Sequence, residues 1–265
     1  TGIRERHIVD PGVATSDLAK EAGLEAIRRA GLTPDDIGVI VVGTVTPDMM
    51  FPSTACLVQH KIGAHHAWGF DVSAACSAFT YALTAGSQLV AAGCHEHALI
   101  IGADVMSSII DYTDRATCII FGDGAGAVLL EPNNEGFGIL DSILRADGSG
   151  CQYLHQKAGG SNRPATGRTV ERKEHYVYQE GKAVFKFAVT NMADVSAEIM
   201  EKNGLKSEDV AWLVPHQANK RIIDATAHRM GLDDSRVMVN IEKYGNTTSG
   251  TLPLCLRSEE HTSEL

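Results

Sequence analysis

The strongest constraint on the fold is an alternation of short apolar runs with segments of helical periodicity. "IGVIVVGTVT", from residue 37, is a continuous β-branched run, typical of a strand covered on both faces. A helix is expected before it at Ser16–Ala30, with Ser16 as its cap and Gly31 just beyond its end. "WGFDVS" and "HALIIGAD" predict further strands, and "CIIFGDGAGAVLLE" predicts two strands around a glycine-rich bend. With helices at "STACLVQHKIG" and from Cys76 to about Ala92, the pattern predicts an α/β protein with a largely parallel sheet.

The second half of the chain repeats this alternation after a polar stretch from about Asn133 to Lys173. A weak strand is expected near "GILDSIL", and strands running into loops are expected at "VAWLVPHQAN" and "VMVNIEKYGNTTSGTLPLCL". "AVFKFAVTNMADVSAEIMEKNG" and "ANKRIIDATAHRMG" predict helices. We therefore expect two similar α/β halves, residues 1–132 and 133–256. Residues 257–265 leave the pattern and resemble a translated sequencing adapter, so we expect a non-native tail there and a natural chain that is longer at both ends.

Composition narrows the class of protein. A net charge of −10 argues against nucleic-acid binding, which needs a basic surface. No apolar run approaches the roughly 18 residues of a membrane span, and a secretory signal is not visible in this sequence. The six cysteines form no C-x-x-C pair, which argues against a zinc or thioredoxin-type site. A thiol-keeping, cytoplasmic compartment fits this usage best.

Three residues able to do chemistry follow predicted strands: Cys76, His216 and Asn246. Parallel sheets bind ligands beyond the carboxyl ends of their strands, so these side chains are candidates to converge. A cysteine at a helix start is expected to have a lowered pKa and to be reactive as the thiolate. Taken singly, each has an ordinary alternative: a core thiol, a structural histidine and a turn asparagine.

A Cys/His/Asn set suits two reactions. One is peptide hydrolysis by a thiolate–imidazolium pair that an amide orients. The other is acyl transfer to Cys76 and then carbon–carbon bond formation, in which the His216 Nε2–H and the Asn246 amide hold an enolate oxygen. Spacing does not choose between them, although the α/β alternation and the lack of secretory features weigh against a papain-like protease. Neither reaction needs a metal or a redox cofactor.

Seven stretches in the same order resemble the β-ketoacyl-acyl-carrier-protein synthase III family: "TGIRERH", "FPSTACLVQ", "FDVSAACSAFTYAL", "DRATCIIFGDGAGAVLLE", "ADGS", "WLVPHQAN.RII.ATA" and "YGNTTSGT". The resemblance runs from Thr1 to about Leu256. It implies a thiolase-like fold, two similar α/β halves in a layered αβαβα arrangement, as a homodimer. It also implies a decarboxylative Claisen condensation of an acyl-CoA primer with malonyl-acyl-carrier protein, which initiates type II fatty acid synthesis.

The resemblance also implies roles for individual residues. Cys76 is similar to the acyl-accepting nucleophile, and His216 and Asn246 to the decarboxylation pair. The other implied sites are coenzyme A or pantetheine contacts at Arg115, Asn219 and Gly181, an acyl pocket at Phe51 and Phe121 with Phe51 reaching across the dimer, and carrier-protein docking at Lys186, Arg221 and Arg229. Two alternatives stay open: a related triad enzyme of secondary metabolism, and an inactive partner subunit, against which the intact triad argues.

Overall fold

Helices and strands alternate through the first half of the computed structural model, which describes residues 1–259 and side chains through residue 257. The helices are α1 Thr15–Arg29, α2 Thr54–Ile62, α3 Ala78–Ala91, α4 Gly167–Glu171, α5 Gly181–Lys202, α6 Lys220–Met230, α7 Ile241–Tyr244 and α8 Thr251–Glu259. The strands are β1 Val39–Gly43, β2 Trp68–Val72, β3 Ala98–Asp104, β4 Gly124–Leu130, β5 Leu154–Gln156 and β6 Val177–Gln179. In this part of the chain no helix is both long and apolar enough to cross a bilayer.

A four-stranded sheet in the order β2-β1-β3-β4 forms the centre of the fold. Strand β1 pairs in parallel with β2 and with β3, whereas β4 runs antiparallel to β3. Because β1 is central, alternate residues face opposite layers: Ile40 and Val42 pack with α1 and α2, and Val39 and Val41 pack with α3. The predicted strand covered on both faces and the largely parallel sheet are therefore confirmed.

Helix boundaries follow capping chemistry, with one correction. Ser53 caps α2 by accepting the Cys56 N–H, and Gly63 ends that helix in the left-handed conformation. The prediction that Ser16 caps the first helix is wrong, since α1 begins at Thr15. The Ser16 hydroxyl instead donates to the Asp48 carboxylate at 2.5 Å.

The second half forms its predicted helices but few of its predicted strands. "GILDSIL" makes no ladder, and the segments around Leu213 and Val237 share a single parallel bridge. Residues 118–120 form a turn, so the expected strand pair around "FGDGAG" is reduced to β4. A strand exists only where a neighbour accepts and donates its backbone hydrogen bonds, and among residues 1–259 these apolar runs make no more than isolated bridges. The boundary between halves at residues 132 and 133 stays a prediction.

Residues 257–259 continue α8, so the expected non-native tail begins inside a helix. The rest of that segment, residues 260–265, lies outside the described residues. The prediction of a non-native origin for residues 257–265 therefore stays a prediction.

We expect Gly102→Ala to destabilise the fold strongly, because β3 and the loop after Asn246 touch through backbone atoms there. A Cβ on Gly102 would lie 2.3 Å from the Ser249 carbonyl oxygen and 2.9 Å from its carbon. Overpacking of this kind costs about 1–3 kcal/mol of unfolding free energy, measurable by urea denaturation. Gly148→Ala is the control, since a Cβ there meets nothing within 4 Å. Equal losses in the two variants would contradict this packing.

Candidate active site

Cys76 lies at the carboxyl end of β2, on a short 3-10 turn at Ala75–Ser77 that leads into α3. The preceding residue, Ala75, has a φ of 46°, in the left-handed region that an alanine rarely adopts. Thr248 shares this conformation, with a φ of 54°. Strained backbone of this kind clusters at functional sites, and both residues line the same cavity as Cys76.

A cavity of about 150 Å³ opens onto Cys76. Strand ends and turns of the first half form one wall, and the β5–β6 hairpin forms the other. The lining is mainly apolar and includes Val45, Met106, Ile109, Phe121, Leu154 and Val177. Such a space accommodates a hydrocarbon chain better than a polar group.

Asn246 presents its amide nitrogen to Cys76. Its backbone is fixed by the segment before β4, because its N–H donates to the Ile120 carbonyl at 3.0 Å and its carbonyl accepts the Gly122 N–H at 3.0 Å. Its side-chain oxygen is occupied by the Thr248 N–H at 2.9 Å. The amide group therefore turns its NH₂ towards the Cys76 sulfur, and it lowers the pKa of that thiol. The structure thus brings together two residues 170 positions apart.

His216 contacts the segment that carries Asn246, through the side chain of Thr251, five residues after Asn246. The His216 Nδ1 lies 2.6 Å from the Thr251 hydroxyl, and its buried Nε2 has no hydrogen-bond partner in the described structure. Buried Gln217 fixes the backbone next to it by donating to the Pro215 carbonyl at 2.9 Å. Sequence reasoning missed Thr251, because a threonine in "SGT" has no signal that separates it from its neighbours.

Burial dominates the electrostatics of these groups. Burial first and the Asp104 carboxylate second raise the pKa of the Cys76 thiol, the Asn246 amide opposes the rise, and the net result is a pKa of about 12. The expected lowering of the Cys76 pKa is therefore wrong for the resting protein, because desolvation and a neighbouring anion both disfavour a thiolate. Burial also lowers the pKa of His216 to about 4, so its imidazole is neutral at pH 7.

Of the other residues predicted for the acyl pocket and for coenzyme A binding, Phe121 alone lines the cavity beside Cys76. Phe121 is buried and lines the cavity, whereas Phe51 is 83% exposed and is not part of the lining. Arg115 is exposed on a turn after β3, and Gly181 is the first residue of α5. Asn219 caps α6 by accepting the Arg221 N–H at 3.1 Å, which occupies its side-chain oxygen.

The three residues predicted to dock a carrier protein lie on two packed helices. Exposed Lys186 is on α5, and Arg221 and Arg229 are on α6. The Arg221 guanidinium stacks over the Phe185 ring at 4.7 Å, which holds it between the helices. Arg229 pairs with Asp194 at 3.4 Å, and this pairing reduces the net positive charge of the surface.

The chain is similar to known proteins over nearly its whole length. Family models described as 3-oxoacyl-acyl-carrier-protein (ACP) synthase III and its C-terminal part match residues 70–148 and 200–265. A β-ketoacyl-acyl-carrier-protein synthase III of Chlorobium luteolum is 59% identical over 97% of this chain and 79% of its own length. One from Bacteroides thetaiotaomicron is 51% identical over 96% of this chain and 76% of its own length. These alignments leave about a fifth of each relative unmatched.

Solved structures agree with this similarity. The 3-oxoacyl-acyl-carrier-protein synthase III of Aquifex aeolicus superposes with a TM-score of 0.90 at 38% identity, covering 100% of this chain and 81% of that one. The priming β-ketosynthase of the R1128 polyketide pathway gives 0.85 at 32% identity, covering 97% and 76%.

The fold is therefore the thiolase-like α/β fold, and the similarity to these relatives identifies a condensing enzyme of the acyltransferase class. Within that class, the chain belongs to the β-ketoacyl-acyl-carrier-protein synthase III family.

We expect the buried His216 to make stability depend on pH. Its pKa is about 4 in the folded protein and 6.5 as a model value, so only the unfolded chain binds the proton between these values. Stability is therefore complete above pH 6.5 and falls as the pH drops towards 4, by about 2 kcal/mol between pH 7.5 and pH 5. Urea unfolding at the two pH values measures this loss.

The control for this effect is His216→Gln, which removes the titrating group. The loss between pH 7.5 and pH 5 should be smaller in this variant by about 2 kcal/mol. The same loss in both proteins would show that His216 is not buried in its neutral form.

Proposed function

We propose that the chain condenses an acyl-CoA primer with malonyl-acyl-carrier protein, with loss of CO₂, to give β-ketoacyl-acyl-carrier protein and initiate type II fatty acid synthesis. The observation that carries this proposal is the Asn246 amide that faces Cys76 beside an apolar cavity. The names of relatives 51–59% identical support fatty acid synthesis over the polyketide role of the neighbour at 32%. Coenzyme A enters as a substrate thioester, and no other cofactor or metal is part of the proposal.

The first step is acylation of Cys76. The sulfur attacks the thioester carbonyl, the bond from that carbon to the coenzyme A sulfur breaks, and coenzyme A leaves with the thiol proton. The raised pKa of Cys76 means that a thiol, rather than a standing thiolate, is the resting form. The product is a neutral thioester, which the dry site tolerates better than an anion. The acyl chain then occupies the cavity against Phe121.

The second step is decarboxylation of the malonyl group. As CO₂ leaves, negative charge moves onto the thioester oxygen, and two neutral donors stabilise it: the Asn246 amide and the His216 Nε2–H. The resulting carbanion attacks the Cys76 thioester, and the new carbon–carbon bond displaces the Cys76 sulfur, which regains a proton.

This role requires the proton of neutral His216 to be on Nε2. The Thr251 hydroxyl is 2.6 Å from the His216 Nδ1 and 3.1 Å from the Thr248 carbonyl, and its single hydrogen can go to either acceptor. Donation to Nδ1 is the arrangement that this role needs, because it leaves the Nε2–H as the free donor. The lack of any partner for the buried Nε2 within the described structure agrees with a group reserved for substrate.

The remaining residues have supporting roles in this proposal. Exposed Phe51 would complete the acyl pocket of a second copy in a homodimer. Arg115, Asn219 and Gly181 would contact coenzyme A or the pantetheine arm, and Lys186, Arg221 and Arg229 would receive the acidic carrier protein. A cytoplasmic location is part of the same proposal.

Incubation with acyl-CoA should add one acyl group to Cys76, detectable by intact-protein and peptide mass spectrometry. Cys76→Ala should abolish the added mass, because Cys76 is the only cysteine among the residues that line the cavity in the described part of the chain. The matched control is Cys118→Ser, a half-buried cysteine of the same region, which should keep the label. Acylation of another cysteine, or none, would refute the proposed role of Cys76.

Thr251→Val should slow condensation by about tenfold or more while leaving acylation of Cys76 unchanged, since it removes the donor to the His216 Nδ1. Thr251→Ser keeps the hydroxyl and should restore the rate. In ¹⁵N spectra of the imidazole, the proton should be on Nε2 in the wild type and in part on Nδ1 in Thr251→Val. An unchanged tautomer in Thr251→Val would contradict this arrangement.

A further inference from the structure

A fully buried carboxylate next to the site has no part in the steps above. Asp104 is the last residue of β3 and has no exposed surface. Strands β1, β2 and β3 are parallel and adjacent, so their carboxyl ends place Val45, Cys76 and Asp104 at one edge of the sheet. Burying an ion here is costly unless hydrogen bonds offset the loss of water. Burial accordingly raises the pKa of the Asp104 carboxyl, and hydrogen bonds from Ser249, Val45 and Thr46 oppose the rise.

One oxygen of Asp104 is bound by the segment that follows β1. Its Oδ1 accepts the Val45 N–H at 2.8 Å, the Thr46 N–H at 3.2 Å and the Thr44 hydroxyl at 3.0 Å. The Thr46 hydroxyl, which accepts the Val105 N–H at 2.9 Å, donates to the same oxygen at 2.9 Å. Every partner of Oδ1 is thus a donor, as an ionised carboxylate requires.

The other oxygen is bound by the loop that carries Asn246. Oδ2 accepts the Ser249 N–H at 3.0 Å and the Ser249 hydroxyl at 2.6 Å. Ser249 is three residues after Asn246, and the Asn246–Thr248 and Thr247–Gly250 hydrogen bonds make the intervening turn stiff. A displacement of Ser249 therefore moves the Asn246 amide with it.

We propose that Asp104 is a positioning residue: its carboxylate joins the strand ends beside Cys76 to the loop of Asn246 and so sets the distance between the Asn246 amide and the Cys76 sulfur. The functional part of this inference rests on the proposed condensation. The carboxylate does not touch substrate in this role and acts through Asn246.

An asparagine cannot replace Asp104 in either orientation. Both carboxylate oxygens accept backbone N–H groups, so the NH₂ of the substituted side chain would face a donor on one side. The side with Val45 and Thr46 offers two N–H groups and the side with Ser249 offers one. The amide oxygen therefore goes to Val45 and Thr46, and Ser249 loses its acceptor, which loosens the turn that orients the Asn246 side chain.

Removal of the charge has a second, opposite consequence for Cys76. The Asp104 anion raises the pKa of the thiol, so its loss enriches the thiolate. The other titratable groups at the site are His155, which lines the cavity, and His216, whose pKa of about 4 keeps it neutral above pH 6. The Asp104 charge is not among the causes that lower the pKa of His216.

The test compares three variants of this chain by acylation of Cys76, condensation with malonyl-acyl-carrier protein, and the pH dependence of Cys76 alkylation by iodoacetamide. Asp104→Asn should lower condensation by about tenfold or more and acylation much less. Its alkylation at pH 8 should rise by up to about tenfold, the change in thiolate that one pKa unit gives. Ser249→Ala keeps the charge, so it should weaken condensation a few-fold without changing the alkylation profile.

The matched control is Asp123→Asn. Asp123 is also buried, and its two oxygens accept the Val9 and Ser107 N–H groups. It is not among the groups that shift the pKa of Cys76. It should destabilise the fold and leave both the alkylation profile and the ratio of condensation to acylation unchanged. If Asp104→Asn does not fold, the ratio of condensation to acylation in Ser249→Ala tests the proposal alone. Equal losses of acylation and condensation in Asp104→Asn or Ser249→Ala would overturn the proposal.

Failure of the proposed function would give a different result. If the wild-type chain acylates no cysteine and catalyses no condensation, the proposed function is refuted. The alkylation profile of Asp104→Asn would still report whether the carboxylate acts on Cys76.

Discussion

The whole site depends on one buried carboxylate and the hydrogen bonds that surround it. Asp104 binds the chain after β1 through one oxygen and the loop after Asn246 through the other. These two segments are about 200 residues apart in sequence, and the loop also packs its backbone directly on Gly102. Residues that approach this closely cannot shift independently, so the position of Asn246 is fixed by the sheet rather than by its own turn.

The low polarity of the site around Cys76 follows from the same packing. Burial leaves Cys76 as a thiol and His216 as a neutral imidazole, and the adjoining cavity is lined mainly by apolar side chains. In such surroundings neutral donors act strongly on a transient oxyanion, because no water competes and no reorganisation is needed. A site of this kind suits a reaction in which charge appears only briefly, as in the condensation proposed for this chain.

The sequence predicts the parts of the molecule that rest on local pattern. The apolar run of β1, the cap and end of α2, and the strand-to-helix position of Cys76 all follow from residue type and spacing. Asn246 lies near Cys76 for a reason other than the expected one, because it follows α7 and not a strand of the sheet, and an isolated parallel bridge to Phe121 holds it. Asp104 and Thr251 were missed because an aspartate ending "LIIGAD" and a threonine in "SGT" gain their roles only from residues distant in sequence. The Cys76 pKa was predicted in the wrong direction because burial outweighs the helix terminus, and burial depends on the complete packing.

A crystal structure of the chain after reaction with an acyl-CoA tests the account most directly. We expect density continuous with the Cys76 sulfur that extends along Phe121 into the cavity, with the Asn246 amide nitrogen and the His216 Nε2 both facing the thioester. The bonds of Asp104 to Val45 and Ser249 should be unchanged. An acyl group on another residue, or an Asn246 amide turned away from Cys76 while Asp104 keeps its bonds, would contradict it.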